Sequence, residues 1–222
     1  MPTAKPYHHG HLREALLSAA WELLEEGGAD AVTLRAVARR AGVSHAAPQH
    51  HFATKGELVD ALATEAYDAF TTELQSAWDG QGGVRHTTSL DALTAVGLAY
   101  VQFARARPHA FRLLNQPDVR PDQRQPSESG RRLAAAAARS FGVLESGIRA
   151  CQDDGFILAG DPTAWSLLCW SGVHGLAMLL GEGLIPLGSC ADEGELTLLV
   201  LAAMSHGLLS RGQPGSPSAV PG

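Results

Sequence analysis

The chain is poor in several things, and each shortage excludes a class of protein. It has 3 cysteines in 222 residues, Cys151, Cys169 and Cys190, an odd number without paired spacing. A disulfide-stapled scaffold is thereby excluded, and a reducing cytosol fits best. Lysine and arginine total 17 against 23 aspartates and glutamates, and the resulting acidic balance argues against a generally basic nucleic-acid binder. No G-x-S-x-G, P-loop, H-E-x-x-H or C-x-x-C signature occurs, so a helical enzyme using His174 or a cysteine is the weaker reading. No alternating β pattern and no internal repeat is found. The opening MPTAKPYHHGH lacks an apolar core, so no secretory signal is expected there. Neither a metal nor a cofactor is expected: His8, His9 and His11 cluster, but no cysteine or carboxylate completes a zinc site beside them.

What remains is globular in composition, 45% hydrophobic and 18% charged. The apolar spacing is helical almost throughout, and an all-α fold follows. Leu12 to Glu26 places Leu12, Ala15, Leu16, Ala19, Ala20, Leu23 and Leu24 on one stripe, and Gly27-Gly28 ends the helix. Thr33 opens a short second helix closed by Gly42, and Ser44 opens a third, SHAAPQHHF. Thr54 and Glu57 form a capping box before a long helix to Trp78. Further helices span Ser89 to Arg107, His109 to Asn115, Glu128 to Asp154, Pro162 to about Leu184, and Asp192 to about Arg211. Pro162 to Gly181 carries no charge and is long enough to cross a bilayer, but its serines, glycines and His174 favour a buried or interfacial helix and no membrane partner.

Residues 33 to 52 carry the sharpest pattern. Two short helices are joined by Ala41-Gly42-Val43, with Ala38 small where they cross and Val37 and Val43 suited to the inner face. That is the spacing of a helix-turn-helix, whose second helix enters the major groove of DNA. From Thr33 to Gly56 there are four basic residues and no acid, so the acidic total hides a locally basic stretch. Thr33-Leu34-Arg35, Val37-Ala38, Ala41-Gly42-Val43-Ser44, His51-Phe52, Lys55 and Leu58 resemble the pattern of the TetR/AcrR transcriptional regulators, and Tyr7 to Arg13 resembles one branch of them. Trp170-Ser171-Gly172-Val173-His174-Gly175 resembles the W-x-x-x-H-G signature of a C-terminal regulatory domain in that branch.

The resemblance implies a flexible arm at 1–9, a helix-turn-helix domain at 10–70, a helical effector-binding and dimerisation domain at 71–212, and a disordered tail at 213–222. It implies a non-enzymatic, cytoplasmic regulator, most simply a repressor. Such a protein binds a palindromic double-stranded operator as a homodimer and releases it when a small, partly apolar effector binds. Thr33, Arg35, Ser44, His45, Ala46, Gln49, His50, His51 and Lys55 are the candidate DNA contacts. Thr33 and Lys55 stand at helix N-termini, which favour phosphate. Ser44 is a cap or also a phosphate contact; His45 reaches a base edge or is solvated; Ala46 could meet a thymine methyl. Phe52 is core. Pro48 stands where the family has Leu or Ile, and Gln49 where it has Tyr. With Ser44 as cap, Pro48 would be the fourth helical residue and cost only the first intrahelical bond. A helix-turn-helix protein that has lost DNA binding and serves as an adaptor is the alternative this pair keeps open.

Farther along, Phe103, Phe111, Trp170, His174 and Met178 are candidate effector contacts, each otherwise plain core. The helices containing Trp165, Leu176 and Leu180, and Leu201, Met204 and Leu208, are apolar over more than one face. A four-helix dimer interface is expected from them.

Overall fold

The computed structural model describes residues 11–81, 85–116, 119, 127–185 and 192–208, the last three of these as backbone. The expectations for the arm at 1–9, for His8 and His9, for the tail at 213–222 and for the Leu208 side chain lie outside the described residues. The described chain is helical: α1 (Leu12–Ala31), α2 (Leu34–Arg40), a 3-10 turn (Ala47–His50), α3 (Lys55–Trp78), α4 (Ser89–Ala106), α5 (Pro108–Leu114), α6 (Glu128–Asp153), α7 (Pro162–Gly181) and α8 (Glu193–Leu208). The all-α expectation holds.

Side-chain caps start most of these helices, because the first amides of a helix have no internal acceptor. Thr33 accepts from Ala36 N at 3.1 Å, and Thr54 accepts from Glu57 N at 3.2 Å. The Glu57 carboxylate bonds Ala53 N rather than closing the expected box onto Thr54. A full capping box stands instead at α4, between Thr88 and Asp91. Asp161 caps α7, with Pro162 at the first helical position.

α1 does not simply stop at its glycine pair. Gly28 takes φ 71°, a break inside α1, and a Cβ there would lie 3.3 Å from His109 Nδ1. Glycine therefore bends the helix and lets α5 approach.

The third helix expected from Ser44 is not present. Ala47 N bonds Ser44 O at 3.0 Å, Gln49 N bonds Ala46 O at 3.2 Å and His51 N bonds Pro48 O at 2.9 Å, a ladder three residues apart. The first α-helical bond would run from residue 48 to Ser44, and proline has no amide to make it. The segment tightens into a 3-10 turn, and Ser44 caps nothing with its side chain. Pro48 itself is buried.

The core runs without interruption from Leu16, Leu24, Val37 and Phe52 through Leu58 and Leu62 of α3 to Phe103, Leu113, Leu133 and Leu176. α3 thus belongs to both ends of the molecule. α3 packs along α6 and α4, and α5 leans on α1. A smaller cluster gathers Ile148, Cys151 and Ile157 with Trp165 and Cys169 against it. Among the described residues α7 alone is long and apolar enough to cross a membrane, yet Val173, Leu176, Ala177 and Leu180 pack it into the core. It fits the interfacial reading.

Candidate nucleic-acid interface and internal cavity

The N-terminal head is a small wedge whose inner side is Val37, Ala38, Pro48 and Phe52, all buried. Gly42 turns the chain between α2 and the next segment with φ 69°, and Val43 N returns to Ala38 O at 3.0 Å. With the apolar side fixed inward, the polar side must face out. Thr33, Arg35, Ser44, His45, Ala46, Gln49, His50, His51 and Lys55 are all exposed. The expected nucleic-acid contacts are thus all open to solvent.

The cations of the head are not equivalent. Arg40 is clasped by two carboxylates of α1, Glu22 at 3.0 Å and Glu26 at 2.9 Å, and its guanidinium holds the Glu26 carboxyl below its ordinary range through those bonds. Arg13 lies over the Phe52 ring, 5.4 Å from its centroid. Arg35, Arg39 and Lys55 form no ion pair among the described residues and present their charge to solvent.

Behind the head, α3, α4, α5, α6, α7 and α8 enclose a cavity of about 380 Å³. Its walls are aromatic and aliphatic, with Phe70, Tyr100, Phe111, Phe141 and Trp170 as the large surfaces. Tyr100 is the centre of a polar chain. The Trp170 indole donates to its oxygen at 3.1 Å, and the Tyr100 hydroxyl lies 2.8 Å from His174 Nδ1. Indole N–H can only donate, so the phenol oxygen accepts from it, and the direction of the Tyr100–His174 bond follows the imidazole tautomer. Burial acts on both partners, pushing the phenol up and the imidazole below its ordinary 6.5. Burial also pushes the Cys169 thiol in the wall up to about 11.

Of the expected effector contacts, Phe111 and Trp170 line the cavity. His174 stands one layer behind Tyr100. Phe103 is fully buried against Phe70 and does not reach the space, and Met178 packs on the main core. Tyr100, three residues before Phe103, was not expected in the wall; an aromatic stripe three residues apart on α4 was the available signal.

The expected dimer residues are placed mostly inward. Leu176 and Leu180 are buried, and Trp165 lies beside Gly160. Leu201 and Met204 line the cavity and seat α8 on two glycines: a Cβ on Gly97 would lie 2.6 Å from Leu201 Cδ2, and one on Gly172 2.5 Å from Met204 Sδ. Both helices carry apolar residues all round, and the side left bare is Leu167, Leu168, Leu179, Leu198 and Leu199.

Known proteins are similar to this chain in sequence and fold. The family model for bacterial regulatory proteins of the tetR family matches residues 16–62, and that for the tetracyclin repressor-like C-terminal domain matches residues 93–204. The chain is 33% identical over 147 residues to the HTH-type transcriptional repressor Rv3405c of Mycobacterium tuberculosis, spanning 62% of this chain and 71% of that protein. A protein of unknown function from Rhodococcus sp. RHA1 superposes with TM-score 0.79 at 29% identity, covering 93% of this chain and all of that one. The regulator FadR of Bacillus subtilis, solved with stearoyl-CoA, superposes with TM-score 0.65 at 14% identity over 88% of this chain and 98% of its own, a likeness of fold alone. With family models matching both the N-terminal head and the C-terminal helices, the chain belongs to the TetR family of DNA-binding transcriptional regulators.

Proposed function

We propose that this regulator is a ligand-responsive repressor that binds a palindromic operator as a homodimer in the cytoplasm and lets go when an effector fills the C-terminal cavity. One observation carries this reading: α3 supplies Tyr67, Phe70 and Leu74 to the cavity wall and begins at Lys55 in the exposed head. A ligand that repositions the far half of α3 repositions the near half with it. The equilibrium moves only as far as the ligand distinguishes the two arrangements.

In this reading residues 10–70 form the DNA-binding domain and residues 71–212 the regulatory one. Lys55 and Thr33 meet phosphates, while His45, Ala46 and Gln49 approach base edges, with Arg35, Ser44, His50 and His51 beside them. The bare leucine face of α7 and α8 meets its copy in the partner, which sets two heads about one DNA turn apart. Gel-shift and footprinting on the promoter beside its own gene test the reading. A folded dimer that protects no operator there would refute it.

The adaptor reading draws on the 3-10 turn, which replaces a recognition helix with a shorter and differently aimed segment. Operator binding that weakens steeply with salt would exclude it.

A further inference from the structure

We infer that the cavity takes an uncharged, mainly hydrocarbon ligand whose polar group donates a hydrogen bond, such as an alcohol or a phenol, and turns away a carboxylate or an ammonium of the same chain. The inference rests on the cavity being the effector site and specifies what enters it.

Charge is the first consideration. Among the described residues, no lysine, arginine, histidine, aspartate or glutamate lines the space. An ion brought into such a site gives up its hydration with no countercharge to replace it. The groups already there behave in the same way. Burial pushes the Tyr100 phenol and the Cys169 thiol up and the His174 imidazole down, each shift disfavouring the charged form.

Hydrogen-bond polarity is the second. The wall has hydroxyls, but their protons are spent within the protein. Thr94 donates to Leu90 O at 2.8 Å and Ser205 to Leu201 O at 2.8 Å. Thr71 donates to Tyr67 O at 2.7 Å and receives Ser140 at 2.7 Å. The Trp170 indole donates to Tyr100, whose hydroxyl is engaged with His174 Nδ1. What these side chains leave toward the cavity is oxygen lone pairs. A carboxylate has only lone pairs to offer in return, whereas a hydroxyl brings the missing proton.

Asn115 brings a carboxamide to the wall. Its Nδ2 donates to Phe111 O at 2.7 Å, which fixes the carboxamide and leaves Oδ1 as an acceptor with one amide hydrogen beside it. A ligand hydroxyl can donate to that oxygen and accept from that hydrogen at once. Asn115 ends α5, the helix that also touches α1, so the anchor sits where a bound ligand would press on the head.

The test uses the full-length protein and three probes with one chain length: 1-octanol, octanoate and octyltrimethylammonium, titrated by tryptophan fluorescence, with thermal midpoints as the second readout. Octanol should bind at least about tenfold more tightly than either ion, roughly the value of one well-placed hydrogen bond together with the avoided charge burial. Octanoate or the ammonium binding as tightly as octanol overturns the inference while leaving the cavity a ligand site. Binding by none of the three, or octanol binding unchanged in Ala137→Phe, overturns the cavity as a ligand site as well. Asn115→Leu should lower octanol affinity about tenfold and narrow the gap to the ions. An unchanged gap in a variant whose circular dichroism and melting match the parent would overturn the anchor. If Ala137→Phe fails to fold, Ala138→Leu on the same wall replaces it.

Discussion

Ser129 in the first turn of α6 donates to the Asp60 carboxylate of α3 at 2.7 Å, and Asp60 is only 3% exposed. A buried carboxylate is held where its donors are, so this bond fixes the start of α6 to the near half of α3. Ser129→Ala should cost about 1–3 kcal/mol in urea unfolding, the usual loss when a buried acceptor loses a partner. Loss well below that range would show that the other partners of Asp60 suffice.

Gly97 and Leu201 form a matched pair across α4 and α8. Gly97→Ala should destabilise by about 1–3 kcal/mol, since the added methyl has no room until Leu201 gives way. Leu201→Ala in the same chain should restore part of that loss. Additive losses in the double-mutant cycle would show that the two do not meet.

On the DNA side, Lys55→Ala should weaken binding to every sequence alike and reduce the slope of log K against log salt by about one. Gln49→Ala should instead change which sequences are preferred, at a cost of roughly 1–3 kcal/mol at the base it reads. Equal weakening across all sequences in both variants would remove Gln49 from base recognition.

His174 gives a pH signature. Its folded-state value lies below the ordinary 6.5, so below that pH the unfolded chain takes up the proton more readily than the folded one. The stability contribution is complete above 6.5 and falls as the pH drops toward the folded value. Urea midpoints of the parent should therefore decline on acidification more steeply than those of His174→Gln. Parallel curves would mean that the imidazole stays solvated.

Much of this fold is legible in the sequence because local signals decide it. Thr33, Thr54 and the Asp161-Pro162 pair mark helix starts by chemistry that needs no tertiary partner, and the structure uses them. Pro48 shows where local reading falls short. Removing one bond looks affordable for a nine-residue helix, but that bond is the one that nucleates it, and a short segment cannot recover the loss. The inward faces of α7 and α8 are hard to read for a different reason. α7 and α8 are apolar on several faces, so periodicity cannot say which face turns inward, and Leu176, Leu180 and Met204 turn out to pack within their own protomer. The Trp170–Tyr100–His174 chain joins residues about seventy positions apart, a proximity set only by how α4 and α7 pack.

The clasp that Glu22 and Glu26 place on Arg40 has a consequence for how strongly DNA can be held. A guanidinium already neutralised by its own protein displaces few counterions from a duplex. The acid-free stretch of each head therefore offers the duplex three available cations, Arg35, Arg39 and Lys55, rather than four. Two heads would then give a salt slope near five, at about 0.9 per neutralised phosphate. Attraction of that size holds unrelated sequences only loosely, so residence at an operator must come from contacts that depend on shape and base identity.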